Sequence, residues 1–293
     1  MTLGNFDGVH RGHRAILERV AGEARRLGGE AVAMTFTPHP IAVLHPERTP
    51  AVLTALRHKV ELVAAAGIDV LLLQRFTPAF AQLSPEEFVR RFVVERLGAR
   101  KVVVGHSVSF GHDRRGNAAV LRELGAREGF DVEIVGPIHV EIHVVSSSAV
   151  RRAVAAGDMR LASDLLGRDY RVVGRVVRGY RRGAAIGFPT ANLHVRQGTY
   201  PPNGVYAVIG RTDTGRYMGV ANIGHNPTFG ERSLRTLEVH LFDFAGDLYG
   251  KRCDVAFVER LRSEARFPSV DALTAQIRRD AEQARAVLNR RGG

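Results

Sequence analysis

The chain has 293 residues, 45% of them hydrophobic and 25% charged, which supplies a normal core and excludes a disordered or low-complexity protein. Common domains run to ~100–150 residues, so two domains are expected. The formal charge of +12 comes almost wholly from arginines dispersed without a long basic run or an aromatic-interleaved stripe, which favours a background arginine-rich composition, helped by phosphate-bearing substrates, over a dedicated nucleic-acid surface.

In chain order, Gly4 to His13 reads GNFDGVHRGH, a glycine-rich loop entering a helix. From Arg14 to Leu27, residues Ile16, Leu17, Val20, Ala24 and Leu27 fall on one helical stripe. Residues 31–36, AVAMTF, read as a buried strand closed by the turn-forming TPHP. Leu56 to Ala66 is predicted helical and Ile68 to Leu73 strand-like. Ser84-Pro85-Glu86-Glu87 is a helix start, with a capping serine, proline in the first turn and glutamate three residues on. Short strands at Lys101–Val104 and Val132–Val135 flank a helix over Ala118–Glu128, and Val145 to Arg151 reads as another helix start. Strands alternating with helices predict a parallel sheet covered on both faces, with ligands beyond the C-terminal strand ends.

From Tyr170 the pattern changes to short alternating runs: YRVVGRVV, GVYAVIG, YMGVANIG, TLEVHLFDF and CDVAFVERL. Turn-like PPNG, GRTDTG and AGDLYG separate or flank them, which predicts an antiparallel sheet or small barrel. An amphipathic helix over roughly Val270–Leu288 ends the chain, and the domain boundary is expected near Gly167–Asp169, giving domains 1–168 and 169–293. Cys253, the only cysteine, is expected to be a half-buried strand thiol; one cysteine permits no intrachain disulfide and fits a reducing cytosol. No apolar stretch approaches the ~18–20 residues of a membrane span, and no signal-peptide pattern precedes Gly4, so a cytoplasmic protein with no membrane partner is expected.

Two segments carry chemistry. A helix N-terminus offers unpaired N–H groups and the positive dipole end to phosphate, and Gly4, Gly8 and Gly12 permit close backbone approach. His10 and His13, three apart at that helix start, could donate to phosphate oxygens as charge builds at phosphorus. A zinc pair or surface histidines without function are the competing readings. Ser146, Ser147 and Ser148, with Arg151 a turn later, either cap their helix or hold phosphates. In the second half, GRVVRGYRRGAAIGFPTANL has glycine spacing and basic charge but no P-loop signature. Thr190 and Asn192 would share a face if extended and offer neutral oxygens suited to Mg²⁺, or they stabilise a polar turn. Glu238 lies on the face of its strand opposite Leu237 and Val239, either as a solvated acid or as a general base for a hydroxyl.

The first half resembles the HxGH nucleotidyltransferase superfamily, whose domain is Rossmann-like. GNFDGVHRGH, TFTPHP and VSSSAVR together resemble the FMN adenylyltransferase domain of bacterial bifunctional riboflavin kinase/FAD synthetases. The resemblance implies that His10 and His13 stabilise the α-phosphate transition state. It also implies that Gly4, Asn5, Asp7, Gly12, Ser146, Ser147, Ser148 and Arg151 position ATP and FMN, assisted by Mg²⁺. GFPTANL, NGVYAV, GVANIGHNPTF and LEVHLFDFAGDLYG resemble the riboflavin kinase module, a six-stranded β-barrel with a C-terminal helix. Carried over, Thr190 and Asn192 would ligate Mg²⁺ with ATP, Glu238 would be the base for the riboflavin 5′-hydroxyl, and Gly183, Gly187 and Pro189 would form a nucleotide flap.

The implied activities are phosphorylation of riboflavin to FMN and adenylylation of FMN to FAD, with riboflavin, FMN and ATP as ligands. Three departures are visible. Gly105-His106-Ser107-Val108-Ser109-Phe110-Gly111 stands where the family usually has Gly-x-Asp-Phe-x-Phe-Gly. Only Met1, Thr2 and Leu3 precede Gly4, so a shortened first strand is expected. Ala184 stands where a basic residue often does. The first two leave a narrower alternative, a riboflavin kinase whose N-terminal nucleotidyltransferase-like domain is impaired.

Overall fold

The computed structural model describes residues 1–179, 187–195, 198–226 and 234–292. They fall into two compact units, Met1–Ser147 and Ser148–Gly293.

In the first unit β1 (Thr2–Leu3), β2 (Val32–Thr37) and β3 (Val70–Arg75) pair in parallel, as do β4 (Lys101–Gly105) and β5 (Asp131–Val135). Met1 joins the two sets: its amino group donates to Lys101 O at 2.6 Å, and Val103 N donates to Met1 O at 2.9 Å. That is the slanted bonding of a parallel pair. The strands therefore succeed one another as β3-β2-β1-β4-β5. The chain winds outward in one direction from β1 and in the other from β4. The loops leaving those two strands open at the topological switch point, where open α/β sheets bind ligands.

Alternation along the strands supplies a core on each face. Met34, Val102 and Val104 pack with Phe88, Val89, Val93, Leu121 and Leu124. Their neighbours Ala33 and Val103 pack with Leu17, Val20, Ala21 and Val63. Helices α1 (Arg11–Leu27) and α3 (Leu56–Ala65) thus cover one face. The other is covered by α5 (Pro85–Phe88), its wider-wound continuation Val89–Arg96, and α6 (Ala118–Glu128). Short α2 (Pro40–Leu44) and α4 (Pro78–Ala81) lie in the connections, and a hairpin of β6 (His139–Val140) and β7 (His143–Val144) leads to α7 (Ser147–Ala156). The strand predicted from Ile68 starts at Val70 instead. Asp69 N and Val70 N both donate to Ala31 O, and the Asp69 carboxylate accepts from Ala31 N, so this stretch joins strand starts rather than extending the ladder.

In the second unit, after α8 (Met159–Leu166), six strands close a barrel in the order β10-β11-β12-β9-β8-β13. They are β8 (Tyr170–Val177), β9 (Ala191–His194), β10 (Gly204–Arg211), β11 (Arg216–Asn226), β12 (Leu234–Leu241) and β13 (Arg252–Arg262). Every neighbouring pair is antiparallel. The C-terminal helix α9 (Val270–Gly292) lays Ala284, Val287 and Leu288 against Val205, Ala207, Val220 and Val258. The α/β-plus-barrel architecture is the expected one. Cys253 differs from expectation: it is fully buried, in step along β13 with buried Val255 and Phe257, and burial pushes its thiol up to about 11. It is a core side chain rather than a reactive thiolate at neutral pH. Among the described residues no helix is long and apolar enough to cross a membrane.

Candidate active sites

The first site is a loop under backbone strain. Between β1 and α1, Phe6 (φ 46°) and Val9 (φ 39°) are non-glycine residues in the left-handed region, joined by Gly8 (φ 85°). Such conformations cost about 1–3 kcal/mol each and persist only where surroundings over-determine them. Here they do. Phe6 and Val9 are buried in the core, and Gly4 N donates to Met34 O. The Thr35 hydroxyl and Lys59 Nζ both donate to Asn5 O, at 3.1 and 2.7 Å. The buried Asp7 carboxylate accepts from Leu53 N and Thr54 N, while Asp7 O accepts from the Ser147 hydroxyl at 2.8 Å. Asp7 is therefore a clamp that ties the 53–54 backbone to the glycine loop.

The clamped loop delivers His10 as the N-cap of α1, its Nδ1 accepting from His13 N at 3.2 Å. A neutral imidazole whose Nδ1 accepts carries its proton on Nε2, which fixes the ring's donor nitrogen. The His13 ring stacks on His10 with centroids 3.6 Å apart and planes 16° apart, and meets the Phe6 ring edge-on at 5.3 Å. Gly12 keeps this pair close, because a Cβ there would sit 3.3 Å from the His10 ring. The histidines predicted from spacing are thus brought together at a helix N-terminus. Ser147 begins α7 and bonds to the same loop; Ser146 precedes it. Ser148 and Arg151 lie on α7 within the second unit.

The second site lies on the barrel. Asn192 on β9 stands directly opposite Glu238 on β12, which in turn opposes Asn222 on β11. Directly opposed residues point to one side of a sheet, with Cβ atoms about 4.5–5.5 Å apart. The intervening Leu193, Leu237, Val239 and Ile223 are buried on the other side. A polar row, Asn192–Glu238–Asn222, therefore crosses three strands outside the barrel core. The approach to β9 is fixed by His240, whose Nδ1 lies 2.8 Å from Pro189 O and whose ring meets Phe188 edge-on at 5.4 Å. Gly187 has φ 83°, the left-handed conformation that favours glycine. Thr190 directly precedes β9, two residues before Asn192. Gly183, expected in the flap, lies outside the described residues, as do Arg181, Arg182 and Ala184.

The two constellations coincide with two families. A family model described as FAD synthetase matches residues 1–149, and one described as riboflavin kinase matches residues 166–288. A bifunctional riboflavin kinase/FMN adenylyltransferase of Pseudomonas fluorescens is 42% identical over 286 residues, 98% of this chain and 92% of its own. One from Escherichia coli K12 is 41% identical over 288 residues, 97% of this chain and 91% of its own. The chain belongs to the bifunctional riboflavin kinase/FMN adenylyltransferase family. A solved structure from Streptococcus pneumoniae, described as a macrolide-efflux protein, has TM-score 0.88 and 33% identity, covering 97% of this chain and 93% of that one.

Within this family frame the departing 105–111 segment is a built loop. Phe110 is buried against Phe88 and bridges to Gly116, where a Cβ would meet the Phe110 ring at 2.6 Å. Gly111 has φ 72° and leaves no room for a Cβ beside Pro85. His106 and Ser107 are exposed. Two residues escaped sequence reasoning. Lys59 lies in no motif; its only signal is that just three lysines stand among 42 basic residues. Gly179 is needed because a Cβ there would lie 2.2 Å from the Asn192 amide nitrogen.

Proposed function

We propose that the Gly4–His13 loop is the FMN adenylyltransferase site and the β9–β12 seam the riboflavin kinase site of one bifunctional enzyme. The observation that carries this reading is the opposition of Asn192 and Glu238 in one unit, with the stacked His10–His13 pair capping a helix in the other. In the kinase reaction Glu238 accepts the proton of the riboflavin 5′-hydroxyl as its oxygen attacks the γ-phosphorus of ATP, giving FMN and ADP. In the second reaction an FMN phosphate oxygen attacks the α-phosphorus of ATP and pyrophosphate leaves. His10 and His13 donate to the oxygens on which charge accumulates.

Gly4, Asn5 and Gly12 shape the phosphate-facing loop and Asp7 holds it. Ser146, Ser147, Ser148 and Arg151 supply the hydroxyls and positive charge for ATP, and Gly187 and Pro189 shape the flap. The Thr190 hydroxyl and the Asn192 amide oxygen are hard neutral donors that fit Mg²⁺, and Gly179 leaves the Asn192 amide its space. Bound there with ATP, Mg²⁺ would neutralise phosphate charge. We place the functional boundary at 168/169, because the start of α7 serves the first site and the barrel begins at Tyr170. A cytoplasmic location suits its soluble substrates.

The alternative of an impaired N-terminal domain is not favoured, since that half matches the FAD synthetase family model and its histidine pair is assembled. Incubation with riboflavin and Mg·ATP followed by flavin chromatography tests both sites. Glu238→Ala should abolish FMN formation and leave FAD formation from supplied FMN. His13→Ala should do the reverse; a variant that loses both activities together would contradict the two-site assignment.

A further inference from the structure

Lys59 presents an electrostatic problem that the motifs do not address. Lys101 pairs with Glu23 and Glu133, and Lys251 pairs with Asp213. Lys59, on α3, instead sends its ammonium to the carbonyl of Asn5. Burial lowers its pKa against the opposing influence of Asp7, so the charge is held at a desolvation cost. Asn5 O does not require it, because the Thr35 hydroxyl already donates there. Nor does the Asp7 carboxylate want for hydrogen bonds, since Leu53 N and Thr54 N both reach it.

What the ammonium adds over a neutral donor is a positive charge, bonded to the Asn5 carbonyl and within the electrostatic influence of Asp7. It does so on the segment that turns, through two strained residues, into His10. Asn5 and Asp7 flank Phe6, the first strained residue, and the second, Val9, precedes His10 directly. A shift of either anchor would pass along this short stretch to the N-cap and to the ring stacked on it.

We propose that Lys59 is a positioning residue for adenylyl transfer: its ammonium, bonded to the Asn5 carbonyl, holds the start of the glycine loop and so sets the placement of His10 and His13. This rests on the reading of those histidines as the adenylyltransferase groups. A positioning loss shows in turnover rather than in substrate binding, because it removes an interaction realised in the transition state.

The test uses the full chain as wild type, Lys59→Met, Lys59→Arg and His13→Ala. FAD formation from FMN and Mg·ATP is resolved into kcat and KM, FMN formation from riboflavin is the internal control, and a thermal melt is recorded. Misplacement of about 1 Å costs about 100-fold, so Lys59→Met should lose about that much kcat with FMN formation intact and an unchanged melt. The ATP KM should stay within about threefold, and Lys59→Arg should recover at least about tenfold of the loss.

Retention of kcat within about threefold in Lys59→Met would overturn the proposal, as would a change confined to KM. So would a Lys59→Arg as inactive as Lys59→Met, or a loss of FAD formation that tracks a lowered melt, which would mark a merely structural lysine. If His13→Ala still makes FAD at the wild-type rate, the site reading itself fails, whatever Lys59→Met does.

Discussion

An alanine methyl at Gly179 would lie 2.2 Å from the Asn192 nitrogen and 2.6 Å from its Cγ, well inside contact distance. Asn192 would have to turn away from the position opposite Glu238. Gly179→Ala should therefore cut FMN formation by about 10- to 100-fold and leave FAD formation from FMN unchanged, as initial rates on each substrate would show. Rates equal to wild type would mean that the Asn192 placement does not matter. The residues that the structure brings together were legible where a motif held them: His10, His13, Asn192 and Glu238 stand in recognisable runs. Their partners were not. The Lys59–Asn5 bond joins residues 54 positions apart, and the Gly179–Asn192 approach depends on a barrel crossing that no local pattern encodes.

At the scale of elements, local rules did well where periodicity was long or caps were explicit. The Ser84 start of α5 is a complete capping box, with Glu87 returning to Ser84 N, as the sequence announced. The Ala118–Glu128 helix has the bounds the periodicity indicated. Strand β9 was harder, because four residues give too little alternation and its strandedness comes from pairing with both β8 and β12. The β6–β7 hairpin, two residues a side, left no signal at all.

Helix α9 was legible as amphipathic, but its attachment was not. Arg262 on β13 sends three hydrogen bonds to Asp280, whose side chain is only 4% exposed. Removing one partner of such a pair leaves an uncompensated charge and costs about 3–5 kcal/mol. Arg262→Met should lower the barrel unit's thermal transition accordingly, read by circular dichroism. A double variant that also carries Asp280→Leu should regain most of the loss; an equal loss in both would reject the argument.

For the whole molecule, the alternation of strands and helices indicated a doubly covered parallel sheet, and the later switch to alternating short runs indicated a barrel. Strand order was not readable, because it rests on bonds such as Val103 N to Met1 O between distant segments. Acid sensitivity is a property at this scale. Hydrogen bonds from Arg19 and then Lys101 hold the Glu133 carboxyl below its ordinary 4.5, and Arg285 does the same for Asp243 relative to 3.8. A carboxylate depressed in the folded state adds stability that is full above its unfolded pKa and is lost as pH falls through the folded value. Thermal transitions measured against pH should thus hold level from neutrality to about pH 5 and decline steadily below about pH 4. Transitions that rise on acidification would contradict the assignment.

Helix α7 crosses the division between the compact units one residue after it begins, with Ser147 on one side and Ser148 on the other. For anyone building hybrids from two relatives, or for a gene recombining in nature, this makes the most compact seam the wrong place to cut. A crossover at 147/148 would take the first residue of α7 from one parent and the rest from another. The hydroxyl donated to Asp7 would then come from a different lineage than the arginine a turn beyond it. A crossover at 167–169, after Gly167 has ended α8 in a left-handed cap, would keep the residues proposed for each reaction under one ancestry. On that proposal the unit to be inherited together is longer than the unit that packs together.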